Sequence, residues 1–169
     1  MKNTAWSLVV VVLGVALVVL MVRTGKGAEE SKKEKEEALT SREAALLCTT
    51  DMATQFHIHP HLEIVIDGEK QSIPKDIGIA ETCMNSLHTH DDLGTIHVES
   101  PVKKDFTLGD FFAVWQKDFS REKILDRSVG QNSEITVTVN GVLVDTYEDT
   151  VLRDKDEIVI KLQNKLLPM

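Results

Sequence analysis

With 169 residues, 42% of them hydrophobic and only 5% aromatic, the chain has room for one folded domain with a modest core once its apolar N-terminal stretch is set aside. A formal charge of -8 and the lack of a basic stripe argue against nucleic acid as a partner, because phosphate binding rests on clustered Lys and Arg.

Residues 5–22 are Ala, Val, Leu, Met, Trp and Gly with Ser7 as the single polar member and no charge, a run long enough to cross a bilayer. A cleaved secretory signal has a shorter apolar region followed by small residues, whereas this run ends in Met21-Val22-Arg23-Thr24-Gly25-Lys26. An uncleaved, single-pass anchor over residues 1–26 is therefore expected. More positive charge follows the span (Arg23, Lys26, Lys32, Lys33, Lys35) than precedes it (Lys2), which alone would keep the rest of the chain in the cytoplasm. A long C-terminal domain translocates largely regardless of such charge, and a span this close to the N-terminus acts as a signal-anchor, so the domain is expected outside.

Residues 27–47 read as a charged stalk or linker. From residue 29 onward this stretch is rich in Glu, Lys, Ala and Leu with no Gly or Pro, a composition that favours helix. Its i,i+4 pairs are mixed, Glu29 with Lys33 favourable and Glu30 with Glu34 not. Cys48 and Cys83 then flank the first group of histidines. In an oxidising compartment they pair, and closing that loop stabilises the fold by roughly 4 kcal/mol in the chain-entropy model. Cys83 as a metal ligand beside His88 is the second reading, and two free thiols the third.

Residues 56–66 alternate as one extended strand, with Phe56, Ile58, Pro60, Leu62, Ile64 and Ile66 on one face and His57, His59, His61, Glu63 and Val65 on the other. Pro60 cannot donate to a ladder and marks an edge or a bulge. Asp67-Gly68 is a hairpin turn, with residues 69–73 returning. His88-Thr89-His90 is followed by Asp91, Asp92 and Gly94 in a loop. In residues 95–99 the same parity puts Ile96 and Val98 inward and His97 with Glu99 on the opposite face.

Thr107-Leu108-Gly109-Asp110 has the form of a capped helix start, and Phe111, Phe112, Val114, Trp115 and Phe119 place the aromatic mass on the helix that follows. Residues 135–139, the turn Asn140-Gly141 and residues 142–144 form a second hairpin. After an Asp154-Lys155-Asp156 turn, residues 157–162 form the last strand. Hairpin, connecting segment, helix, hairpin, last strand is the order of a β-grasp domain. The expected fold class is thus α+β, a β-grasp-like mixed sheet with one packed helix over residues 48–169, preceded by the transmembrane helix and stalk.

All six histidines fall between Phe56 and Glu99. Imidazole both titrates near neutral pH and ligates borderline metals, so His57, His59, His61, His88, His90 and His97 are the candidate metal ligands. Asp91, Asp92, Glu99 and Cys83 are candidate further ligands or groups that orient an imidazole N–H. The chain lacks the paired Cys-x-x-Cys spacing of structural zinc sites, and copper or zinc is the expected ion.

The stretches His57-Ile-His-Pro-His-Leu62, Leu87-His-Thr-His-Asp91, Ile96-His-Val-Glu-Ser-Pro101 and Phe106-Thr-Leu-Gly-Asp-Phe-Phe112 together resemble a family of small, membrane-anchored or secreted, His-rich bacterial and archaeal proteins. The resemblance covers about residues 48–162 and implies one domain and no catalytic residues.

Three functions remain open on these residues. The first is a membrane-anchored, extracytoplasmic metal-binding module that binds, delivers or passes electrons through copper or zinc. The second is a structural or accessory subunit docked on a larger membrane complex, its histidines bonded to one another or to the backbone. The third is a metal-dependent hydrolase or oxidase with Asp91, Asp92 or Glu99 as proton acceptor. No nucleophile motif, phosphate loop or haem-attachment sequence adds to the third.

Overall fold

The fold follows from which apolar residues find each other across strands. A computed structural model describes residues 30–50 and 54–165; the expected membrane span at residues 5–22 lies outside them. Among the described residues no helix is long and apolar enough to cross a membrane. The chain divides after Ala38. In the first unit residues 30–38 are helical, with a Lys33–Glu37 ion pair of 3.9 Å one turn apart.

The second unit begins at Leu39, so the expected stalk over residues 27–47 does not run to Cys48 as one helix. Thr40 starts a new helix, α1 (Ser41–Leu46), through a capping box in which its side chain accepts from Glu43 N and Glu43 accepts from Thr40 N. Ala44 and Ala45 are buried in the domain core. The reason is local: two orphan N–H groups are satisfied by Thr40 and Glu43, which fixes a helix boundary inside the charged stretch.

Among the described residues twelve strands follow, of which the longer ones form a five-stranded mixed sheet. The first hairpin is β3 (His61–Ile66) with β4 (Glu69–Gln71), and the second is β10 (Ser133–Val139) with β11 (Val142–Val144). Both close on two-residue turns with positive φ, Asp67 at 53° with Gly68 at 87°, and Asn140 at 53° with Gly141 at 79°. That backbone matches the twist of paired strands. The last strand, β12 (Glu157–Asn164), enters between the hairpins, antiparallel to β10 and parallel to β3, for an order β11-β10-β12-β3-β4.

The registers align three apolar rows across the sheet: Val139, Ile158 and Leu62; Val137, Ile160 and Ile64; Ile135, Leu162 and Ile66. Leu62, Ile64, Val137, Ile158 and Ile160 are fully buried. Burial of each such side chain is worth about 1.5–3 kcal/mol relative to exposure, so these rows specify register as well as stability. Helix α2 (Leu108–Trp115) contributes Leu108, Phe111 and Phe112 to the same buried cluster. It ends at Gln116, which turns left-handed at φ 58°. Phe119 therefore lies beyond the helix on which it was expected, though its ring still stacks on Phe112 at 4.7 Å.

The architecture is α+β, mostly sheet with few helices. A second sheet orders β2 (Phe56–Ile58), β7 (His97–Ser100) and β6 (Leu87–His88) as β2-β7-β6. In two further pairs, β1 (Cys48–Thr49) joins β5 (Met84–Asn85), and β8 (Lys123–Ile124) joins β9 (Arg127–Ser128). The expected single strand over residues 56–66 is broken at Pro60, which leaves β2 in the small sheet and β3 in the large one. With no N–H to donate, Pro60 ends the first ladder, and its carbonyl instead accepts from Ile96 N at 2.9 Å. The alternation of burial nevertheless survives the break, with Ile58, Pro60, Leu62, Ile64 and Ile66 all inward.

Candidate metal centre

The small sheet sets the histidines side by side because its two registers differ by strand and agree by face. In the β2–β7 ladder His57 lies opposite Glu99, and in the β6–β7 ladder His88 lies opposite His97. Residues two apart on a strand share a face, so His97 and Glu99 on the central strand meet imidazoles from both neighbours. Continuing the β2 register brings His59 beside His97, and their ring centroids are 4.6 Å apart. His59 is held there by the turn before β12: its N–H donates to Asp154 Oδ1 at 3.0 Å, and its carbonyl accepts from Lys155 N at 3.2 Å.

Two triads result, and they share one member. His57, His59 and His97 form one, His88, His90 and His97 the other, and within each the candidate ligand atoms lie within 4.8 Å of one another. Ring centroids are 4.4 Å apart for His57–His59, 4.8 Å for His88–His90 and 4.6 Å for His90–His97. Glu99 reaches both groups through one oxygen, Oε1, which is 3.0 Å from His57 Nε2, 4.0 Å from His88 Nε2 and 3.9 Å from His97 Nδ1.

His88 departs most from expectation. Parity reasoning turns imidazoles away from the apolar interior, yet His88 is 0% exposed. Its Nδ1 is 3.1 Å from the carbonyl oxygen of Asn85. A carbonyl only accepts, so Nδ1 carries the proton and Nε2 carries the lone pair. That Nε2 is buried without a hydrogen-bond partner, as is Nδ1 of His97. Burial pushes the His88 imidazole down to about 4, outweighing the hydrogen bond to Asn85 and the Glu99 charge, which act upward. His97 is lowered as well, first by burial and then by His59 and His90. Both rings are thus held as neutral bases, the form that binds a metal ion.

A nitrogen and an oxygen 4 Å apart are too distant to hydrogen-bond, but an ion bound at about 2 Å to each would span them. The two unpartnered nitrogens and Glu99 Oε1 have this spacing. Unsatisfied buried polar atoms are costly and call for a partner, and a metal ion would satisfy both nitrogens while drawing on Glu99 Oε1, which otherwise contacts His57.

The remaining expected site residues lie apart from the triads. His61 sits on β3 with its N–H on Asp156 O at 2.8 Å, bridged to Thr95, and belongs to neither group. Asp91 accepts from Leu93 N at 2.9 Å and so shapes its own loop, and Asp92 is exposed beside it. The sulfur of Cys83 is bonded to Cys48, which removes it as a thiolate ligand. Asn85 was missed altogether. Its contribution is a backbone carbonyl, for which side-chain identity carries no signal. Its side chain adds a second tie, Nδ2 donating to Ala45 O at 3.0 Å, which fastens α1 to β5 just before the strand that carries His88.

No family model matches the chain, and no curated protein or solved structure matches it.

Proposed function

We propose that this chain is a membrane-anchored, extracytoplasmic module that binds copper or zinc. The observation that carries the reading is the His88 ring: fully buried, its tautomer set by Asn85, its Nε2 lone pair 4.0 Å from Glu99 Oε1 and without a hydrogen bond among the described residues. A ligating histidine whose other nitrogen donates to a backbone carbonyl has this arrangement. A donor set of imidazoles with one carboxylate and no thiolate suits copper(II) or zinc(II). The apolar run at residues 5–22 supports the anchor, and a disulfide between Cys48 and Cys83 accords with an oxidising compartment. The sheet order, with a hairpin on each side of a parallel central pair and α2 packed into its core, supports a β-grasp-like body that holds the histidine sheet at one end of β3.

Metal analysis of the purified full chain after exposure to zinc or copper tests this. Stoichiometric ion is expected in the unaltered protein. It should be absent from the variant carrying His59→Ala, His88→Ala and His90→Ala together, with the far-ultraviolet dichroism of the sheet kept. Retention of the ion by a folded triple variant would discredit the site. The rival reading of a metal-free histidine network predicts no stoichiometric ion in either.

A further inference from the structure

We propose that the histidine sheet holds one ion at a time at two overlapping stations, an outer one of His57, His59 and His97 and an inner one of His88, His90 and His97, so that His97 hands the ion from one to the other. This rests on the metal-binding reading above and adds how the ion, as cargo, moves through the site.

The shared ligand carries the argument. His97 stands on the central strand with His59 and His90 each 4.6 Å away, ring centroid to ring centroid, on its two sides. A neutral imidazole has one lone pair for a metal, and serving two ions together requires removal of its remaining ring proton. Two divalent ions would also repel strongly at this separation in a partly buried setting. Among the described residues the carboxylate placed against these nitrogens is Glu99 alone, which is little to offset two such charges.

The stations differ in a way that gives direction. His57 is exposed and His59 half-buried, so the outer group can take an ion from solvent or from a donor protein. There the ion must compete with the 3.0 Å contact between His57 and Glu99. At the inner group the His88 lone pair has no protein hydrogen bond to give up among the described residues, and its ring is already oriented by Asn85. Preorganisation of that kind favours the inner station. Glu99 Oε1 lies within 4.0 Å of nitrogens in both groups, so the same carboxylate can follow the ion across.

Titration of the full chain with zinc(II) by calorimetry and with copper(II) by electron paramagnetic resonance tests the inference. One ion per chain is expected, with the copper signal of an isolated centre. His97→Ala should weaken binding by at least 100-fold. The pair His57→Ala and His59→Ala should keep one ion with slower uptake, and the pair His88→Ala and His90→Ala should keep one ion bound at least tenfold more weakly. His90→Ala alone, at an exposed position, repeats the inner test without opening the core. Two ions per chain with a coupled or silent copper signal would overturn single occupancy. Full loss in one pair beside unchanged binding in the other would overturn the two stations. No binding by the unaltered chain would instead overturn the metal-binding reading itself.

Discussion

A single ring nitrogen bears most of the functional argument. His88 Nε2 lies in the interior with its lone pair free, and the ring resists protonation until about pH 4, against 6.5 for an ordinary histidine. The unfolded chain takes up that proton at the higher pH and the folded chain only at the lower. Unfolding therefore gains a proton between them, and the stability present above pH 6.5 is lost as the pH falls towards 4. The loss attributable to this group reaches on the order of 3 kcal/mol at its limit. Denaturant midpoints of the metal-free protein at several pH values in that window should fall with acid, and His88→Phe should flatten the dependence. The histidine cluster itself was legible in the sequence, and alternation sorted His57, His59, His97 and Glu99 onto one face. The burial of His88 was not, because it depends on how β6 packs against α2, a long-range matter with no local pattern. His61 obeys the same alternation as His57 and His59 yet leaves the group, since the strand changes sheets between them.

Among the elements, those with their own terminating signals were the readable ones. Both hairpin turns carry the Asp-Gly or Asn-Gly pair their backbone requires, and α2 begins where Thr107 and Asp110 place it. The division of the charged stretch at Thr40 was equally available, as Thr40-Ser41-Arg42-Glu43, but it sits inside a run whose composition favours unbroken helix. Asp110 does more than cap. It is 2% exposed, accepts from Thr107 N at 3.0 Å, and receives Arg42 Nε at 2.7 Å from α1. Asp110→Ala should then cost about 2–4 kcal/mol, the loss of a cap plus that of a nearly buried charge partner. Equilibrium unfolding measures it. Because the pair joins the two helices and touches no histidine, metal stoichiometry should be unchanged where the variant remains folded.

At the scale of the molecule, the Cys48–Cys83 bond closes a loop of sequence separation 35 that contains β2, β3, β4 and two of the five triad histidines. Reduction should lower the unfolding free energy by at most about 4 kcal/mol in the chain-entropy model. The readout is the shift in denaturant midpoint with and without reductant. A shift much below this would mean that the β1–β5 pairing and α1 already restrain the same segment.

The last long strand of the chain is also the innermost of the large sheet, running beside β3, while the turn before it grips the backbone of His59 and His61. During synthesis the first hairpin emerges early but has no neighbour on which to settle. The backbone of His59 and His61 can be locked only after residues 154–162 have been made. On the proposed metal-binding reading, an ion arriving at a nascent chain would meet loose histidines, and selective capture would wait for β12.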